Sequence, residues 1–283
     1  RNLWAVFSNV CPDRYRGSAD KPTGLRQRRG RGEPEAKIMP KVSIITPTYS
    51  RDDHLSQIHR CFKSQDYRYL EWLILDDSPC PSEEFTAIDD SRIRYRHIRQ
   101  RLSIGEKRNL LVEQATGDII VHFDDDDFYS FNYVSSMVAV LGEKECDLLN
   151  LRGWFLYDCR HRFFGYWDLL LKEGLHYVCN PKSVDLMMLS KDNNSALEHN
   201  HLGFGFGWAY RKEVWEKSPF PNKNWNEDGE FALKAREAFK LDGLIDTQGL
   251  CLHVLHLSNS SRSFPQYHLP NCLLNRYFPS LEL

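Results

Sequence analysis

The sequence predicts an α/β fold: a mostly parallel sheet with helices on both faces. Two observations carry that expectation. Between Val42 and Leu141, short apolar, β-branched runs alternate with segments of helical period, the rhythm of parallel strands joined by helical crossovers. Three of those runs stop at polar clusters, and ligands of open α/β sheets bind beyond the carboxyl ends of strands.

The elements follow in order. Val42 to Thr46 reads as a buried strand closed by Pro47, and Leu55, Ile58 and Phe62 then recur at helical spacing. Leu70 to Leu75 is a second apolar run, stopped by Asp76-Asp77-Ser78-Pro79. Arg92 to Ile98 alternates like a strand, and Ser103 to Ala115 reads as a helix. Asp118 to Phe123 is a third buried strand, ending in Asp124, Asp125, Asp126 and Asp127. Phe131, Val134, Val138 and Leu141 mark the next helix. The second half is less regular: strand-like pieces from Leu148 to Trp167, a glycine–aromatic loop from Gly203 to Trp208, a helix from Glu227 to Phe239, and a strand from Leu250 to Leu257.

Composition bounds the function. Hydrophobic residues at 41% and charged residues at 27% describe a globular chain. The 37 Lys and Arg against 39 Asp and Glu give a net charge of −2, so nothing global favours nucleic acid or an anionic membrane. Residues 12–37 are rich in Pro, Gly and Arg, and a flexible N-terminal extension over 1–40 is expected. The longest apolar stretches, such as Met137 to Leu141, fall far short of the ~18 residues of a transmembrane segment. No signal peptide is visible, and the eight cysteines include no C-x-x-C pair, which favours reduced, cytoplasmic thiols. A chain beginning at Arg1 leaves an upstream segment and membrane association open.

The acidic run is the strongest chemical signal. Four adjacent carboxylates repel one another, and a hard divalent ion such as Mn²⁺ or Mg²⁺ resolves the repulsion while bridging diphosphate oxygens. Extended geometry puts Asp124 and Asp126 on one side, a D-x-D arrangement. Taken alone, the run is equally an acidic surface turn or a helix N-cap.

Its surroundings decide the reading. Lys41 to Tyr49, Leu75 to Ser78, Gly105 to Asn109, Ala115 to Asp127, and Glu227-Asp228 followed by Arg236 come in an order and spacing that resembles family 2 glycosyltransferases of the GT-A fold. The resemblance covers roughly residues 41–257. It implies a single catalytic domain with a nucleotide-sugar-binding half at 41–150 and an acceptor-binding half at 151–283. Pro47, Thr48 and Tyr49 would line the nucleoside pocket, and Asp77 would accept the N3–H of uracil. Arg108 would face the diphosphate. Asp126 would be the main metal ligand, with Asp124 and Asp125 on ribose or sugar hydroxyls. Asp228 would be the general base, and Glu227 would contact the acceptor. Without the resemblance, Asp76-Asp77 reads as a turn, Arg108 as a surface residue and Glu227-Asp228 as the complement of a helix N-terminus after Asn226.

Trp208 and Trp225 could stack on an acceptor sugar, although Trp is more often simply buried. The resemblance also implies a late-strand histidine in the metal shell. Alternation points His253 and His256 to opposite faces, so a regular strand offers only one, and His256 is nearer its end. The expected activity is metal-dependent, inverting transfer from a UDP-sugar to a hydroxyl on a glycan or another acceptor. A nucleotidyltransferase is the rival enzyme, but the Gly-rich basic loop it needs after the first strand is missing. A catalytically silent carbohydrate-binding protein is the non-enzymatic rival.

Overall fold

The structure is a computed structural model, and it describes residues 39–193, 202–257, 259 and 262–281. The Arg-rich stretch 12–37 lies outside them.

Strand β1 (Val42–Thr48) runs parallel to β2 (Leu70–Asp76) on one side and β4 (Ile119–His122) on the other. Strand β3 (Ile93–His97) extends the sheet beyond β2, also in parallel. Helix α1 (Asp52–Ser64) follows β1, the short α2 (Glu83–Thr86) precedes β3, and α3 (Ile104–Gln114) leads into β4. The two-residue β5 (Phe128–Tyr129) and helix α4 (Tyr133–Glu143) come next.

The long β6 (Leu148–Asp158) organises the second half. It pairs antiparallel with β7 (Phe163–Asp168), while β8 (Gly174–Cys179) and β9 (Val184–Leu189) form a separate hairpin. Strand β10 (Trp208–Arg211) sits between β4 and β6, antiparallel to both. After α5 (Lys212–Lys217) and α6 (Glu227–Ala235), strands β11 (Leu241–Ile245) and β12 (Cys251–Leu255) both run parallel to β6. Strand β13 (Tyr267–His268) caps β7, and α7 (Leu274–Tyr277) ends the described chain. The sheet is mixed, and its β3–β2–β1–β4 part is fully parallel, in keeping with the expected α/β fold.

Alternation along the central strands splits the core in two. Ile44, Trp72, Ile74 and Val121 meet α1 and α4 through Leu55, Phe62, Val134 and Met137. Ile45, Leu73, Leu75 and Ile120 meet α3 and α6 through Leu111, Val112, Phe231 and Ala232. Both faces are therefore covered, and function is left to the strand ends. Among the described residues no helix is long and apolar enough to cross a membrane.

Candidate active site

The carboxyl ends of β1, β2 and β4 meet at one rim. Lys107, one turn into α3, is buried and donates from Nζ to the Thr48 carbonyl at 2.9 Å and to Asp77 Oδ1 at 2.8 Å. The Leu102 N–H donates to the other Asp77 oxygen at 2.8 Å, and Arg101 donates to Oδ1 as well. Burial alone would raise the Asp77 carboxyl, but Lys107, Leu102 and Arg101 outweigh it and hold it below its ordinary value. Pro47 and Thr48 close β1, and Tyr49 just beyond them is 39% exposed, with the Arg101 guanidinium carbon 3.4 Å from its ring centroid. Arg101 and Lys107 escaped the sequence reading; the signal was present in the cations flanking Ser103.

The acidic run departs from the strand geometry expected of it. Strand β4 ends at His122 and the chain turns at Asp125 and Asp126, so alternation no longer applies and the four carboxylates fan apart. Asp124 approaches Arg108 Nη2 at 3.5 Å, and Asp125 is bonded by the Thr48 hydroxyl and lies 3.8 Å from Arg51 Nε. Asp126 Oδ2 is 2.9 Å from His256 Nε2 and 3.6 Å from Arg51 Nη2. Asp127 Oδ1 accepts from the Val254 N–H and lies 2.9 Å from His253 Nδ1, while its Oδ2 is buried without a hydrogen-bond partner.

Both histidines thus reach the acids, against the expectation that only one could. His253 points from β12 to Asp127, and His256 lies past the strand's last residue, Leu255, where alternation has lapsed. Arg51, at the entrance to α1, is a further basic neighbour that the sequence reading missed.

The electrostatics are unbalanced. Burial, then the repulsion of Asp127, Asp126 and Glu227, pushes the Asp124 carboxyl up to about 7 despite Arg108. Burial and Asp126 drive Asp125 well above its ordinary value, and the same pair of effects raises Asp127. Asp126 alone moves down: burial opposes its ionisation, but His256 and Arg51 prevail. Among the described residues no group of three or more His, Cys, Asp or Glu side chains is gathered to hold a metal by itself. The donor chemistry nonetheless fits one. Asp126 and His256 already converge, and an inner Asp127 oxygen is unsatisfied; carboxylate oxygen and imidazole nitrogen are donors that suit a divalent ion. A cavity of about 390 Å³, lined by His54, Gln57, Arg60, Asp126 and His256 among others, opens beside them.

The second half supplies the opposite wall. Asn226, in the left-handed region at φ 59°, starts α6 and places Glu227 and Asp228 in its first turn. The Glu227 carboxylate pairs with Arg108, both nearly fully buried, so one guanidinium links the acidic run to the acidic pair. Asp228 Oδ2 accepts the Gly205 N–H at 2.9 Å and Oδ1 accepts the Gly229 N–H at 2.7 Å. The Gly205 carbonyl lies 2.7 Å from His122 Nδ1, a buried residue on β4, and a Cβ at Gly205 would come within 2.6 Å of the Arg108 guanidinium. The glycine–aromatic loop is therefore what fixes Asp228. Trp225 is 65% exposed beside this turn. Trp208 is fully buried against Phe231, so it has no face for a sugar and belongs to the core.

Comparison with known proteins now has a site to refer to. The family model for glycosyl transferase family 2 matches residues 43–218, more than half of the chain. The chain belongs to glycosyl transferase family 2. A GalNAc(5)-diNAcBac-PP-undecaprenol beta-1,3-glucosyltransferase of Campylobacter jejuni is 32% identical over 113 residues, 37% of this chain and 36% of that protein. The Staphylococcus aureus poly(ribitol-phosphate) beta-N-acetylglucosaminyltransferase TarS is 23% identical over 170 residues, 55% of this chain and 29% of TarS. The matched part spans about a third of these relatives' length. The fold is shared with the crystal structure of TarS 1-349 in complex with UDP-GlcNAc, with TM-score 0.57 and 18% identity over 77% of this chain and 60% of that one. It is shared too with a Pyrobaculum calidifontis mannosyltransferase in complex with GDP-Man and Mn²⁺, with TM-score 0.54 and 16% identity over 78% of this chain and 59% of that one.

Proposed function

We propose that this chain is a metal-dependent, inverting glycosyltransferase that moves a sugar from a UDP-sugar to an acceptor hydroxyl. The observation that carries the reading is the Arg108 guanidinium, shared between Asp124 and Glu227, which joins the acidic run and the Asp228 turn into one site. Family membership and the UDP-GlcNAc held by TarS support a nucleotide-sugar donor.

In this reading residues 41–150 bind the donor and residues 151–283 the acceptor. Pro47, Thr48 and Tyr49 line the nucleoside pocket, and Asp77 accepts the uracil N3–H. Asp124 and Asp125 face ribose or sugar hydroxyls, and Arg108 supports the diphosphate end. Asp126 and His256 would hold a Mn²⁺ or Mg²⁺ ion, and such an ion would supply positive charge for a departing nucleoside diphosphate. Asp228 takes the proton of the acceptor hydroxyl as its oxygen attacks the anomeric carbon and the sugar–phosphate bond breaks. Its two backbone hydrogen bonds aim the carboxylate and leave lone pairs for that proton. Trp225 offers an exposed ring for the acceptor sugar, and Glu227, buried against Arg108, backs the acceptor side from within.

Calorimetry with UDP and UDP-sugars, with and without Mn²⁺, tests the reading. Asp126→Ala should abolish the metal-dependent part of donor binding. Asp228→Asn should bind donor normally and lose transfer by about 10²-fold or more. Full transfer by Asp228→Asn would remove the base from Asp228.

A further inference from the structure

The corner read as the nucleoside pocket is filled by the protein itself. The Arg101 guanidinium carbon lies 3.4 Å from the Tyr49 ring centroid, and the same guanidinium donates from Nη1 to Asp77. That separation is the contact distance of two stacked planes, so no base fits between them. A planar group on Tyr49 with an N–H toward Asp77 makes the same pair of contacts that a uracil ring would make there.

We propose that Arg101 is a placeholder for the nucleobase: it occupies the slot between Tyr49 and Asp77, and a donor's base enters by displacing it. The inference rests on the donor reading of that corner given above. Displacement strands no charge. The Arg101 side chain is 52% exposed and has a free path to solvent, while the Asp77 side chain, fully buried, keeps Lys107 and the Leu102 N–H. A binding-competent state populated only when Arg101 swings away lowers apparent affinity by the fraction of time it is away. A half-exposed cation–π contact and ion pair set that fraction at several-fold, not thousands.

Arg101→Lys separates this role from simple attraction. Lysine keeps the charge that draws a diphosphate but lacks the flat face that covers Tyr49. In calorimetry, UDP should bind Arg101→Lys about three- to tenfold more tightly than the wild type, while inorganic diphosphate, which has no base, should bind both equally. Arg101→Ala, compared at high ionic strength where attraction is screened, should shift UDP in the same direction. Equal or weaker UDP binding by both variants overturns the placeholder and makes Arg101 a ligand contact. A wild-type protein that binds no nucleoside diphosphate overturns the donor reading and the placeholder with it.

Discussion

Arg108 joins acids from two distant parts of the chain at one buried position. It is buried beneath Gly205, paired with Glu227, and within 3.5 Å of Asp124. Burial alone would raise the Glu227 carboxyl and Asp228 repels it further, so Arg108 is what keeps an acid tolerable there. Removing one partner of such a pair leaves an uncompensated buried charge. Arg108→Met should lower unfolding free energy by about 3 kcal/mol, and adding Glu227→Met should restore most of it. Urea titration of the single and double variants gives the coupling. A double variant that loses no less than Arg108→Met alone would mean that the loss does not come from a stranded Glu227 charge.

Among the elements, α3 binds the two halves of the site. Its start was legible: Ser103 caps the helix and Glu106 returns the bond, an S-x-x-E capping box. Its inward cations were less so: Arg108 was named only through the family resemblance and Lys107 not at all, because the helical pattern does not show that both lie under the strand ends. Gly105 lies in the first turn of the same helix, where a Cβ would come within 1.9 Å of the Pro221 carbonyl oxygen. Two effects of Gly105→Ala then oppose each other. Helix propensity favours alanine by about 1 kcal/mol, whereas a clash with backbone on a packed face costs about 1–3 kcal/mol and displaces α3 or the 220–224 loop. The clash should win. The variant should melt lower than the wild type and bind UDP more weakly, as thermal denaturation with and without UDP would show; a melting temperature above the wild type's would mean that the loop yields freely. The same limit explains the histidines. The strand itself was legible, but His256 follows its end and His253 finds Asp127 through a buried pairing that no local pattern encodes. Trp208 was ambiguous because a tryptophan beside glycines suits a binding loop and a core strand equally, and only the position of β10 between β4 and β6 decides it.

For the molecule as a whole, the two ends of the parallel strands carry opposite electrostatic designs. At the carboxyl-end rim, Asp124, Asp125, Asp127 and Glu227 are all pushed upward, so ionising them costs folding free energy. At the far end, Glu71 at the start of β2 does the reverse. Its carboxylate accepts from the Ser43 hydroxyl, the Thr116 N–H at 2.7 Å, Lys41 at 3.2 Å and Arg94 at 2.8 Å, and so ties the beginnings of β1, β2 and β3 to the turn before β4. Burial would raise this carboxyl, but the bonds from Ser43, Thr116 and Lys41 prevail and hold it at about 2, against an ordinary 4.5. A depressed carboxyl stabilises the fold fully above its unfolded value and loses that contribution as pH falls toward its folded value. Glu71→Gln, which turns one acceptor into a donor facing Lys41 and Arg94, should therefore cost about 2 kcal/mol at pH 7. Because the unfolded glutamate takes up a proton first on acidification, the gap between wild type and variant should narrow by about 0.8 kcal/mol between pH 7 and pH 4. Urea midpoints at the two pH values test this. A gap that stays constant would mean that Glu71 holds these strands by shape rather than by charge.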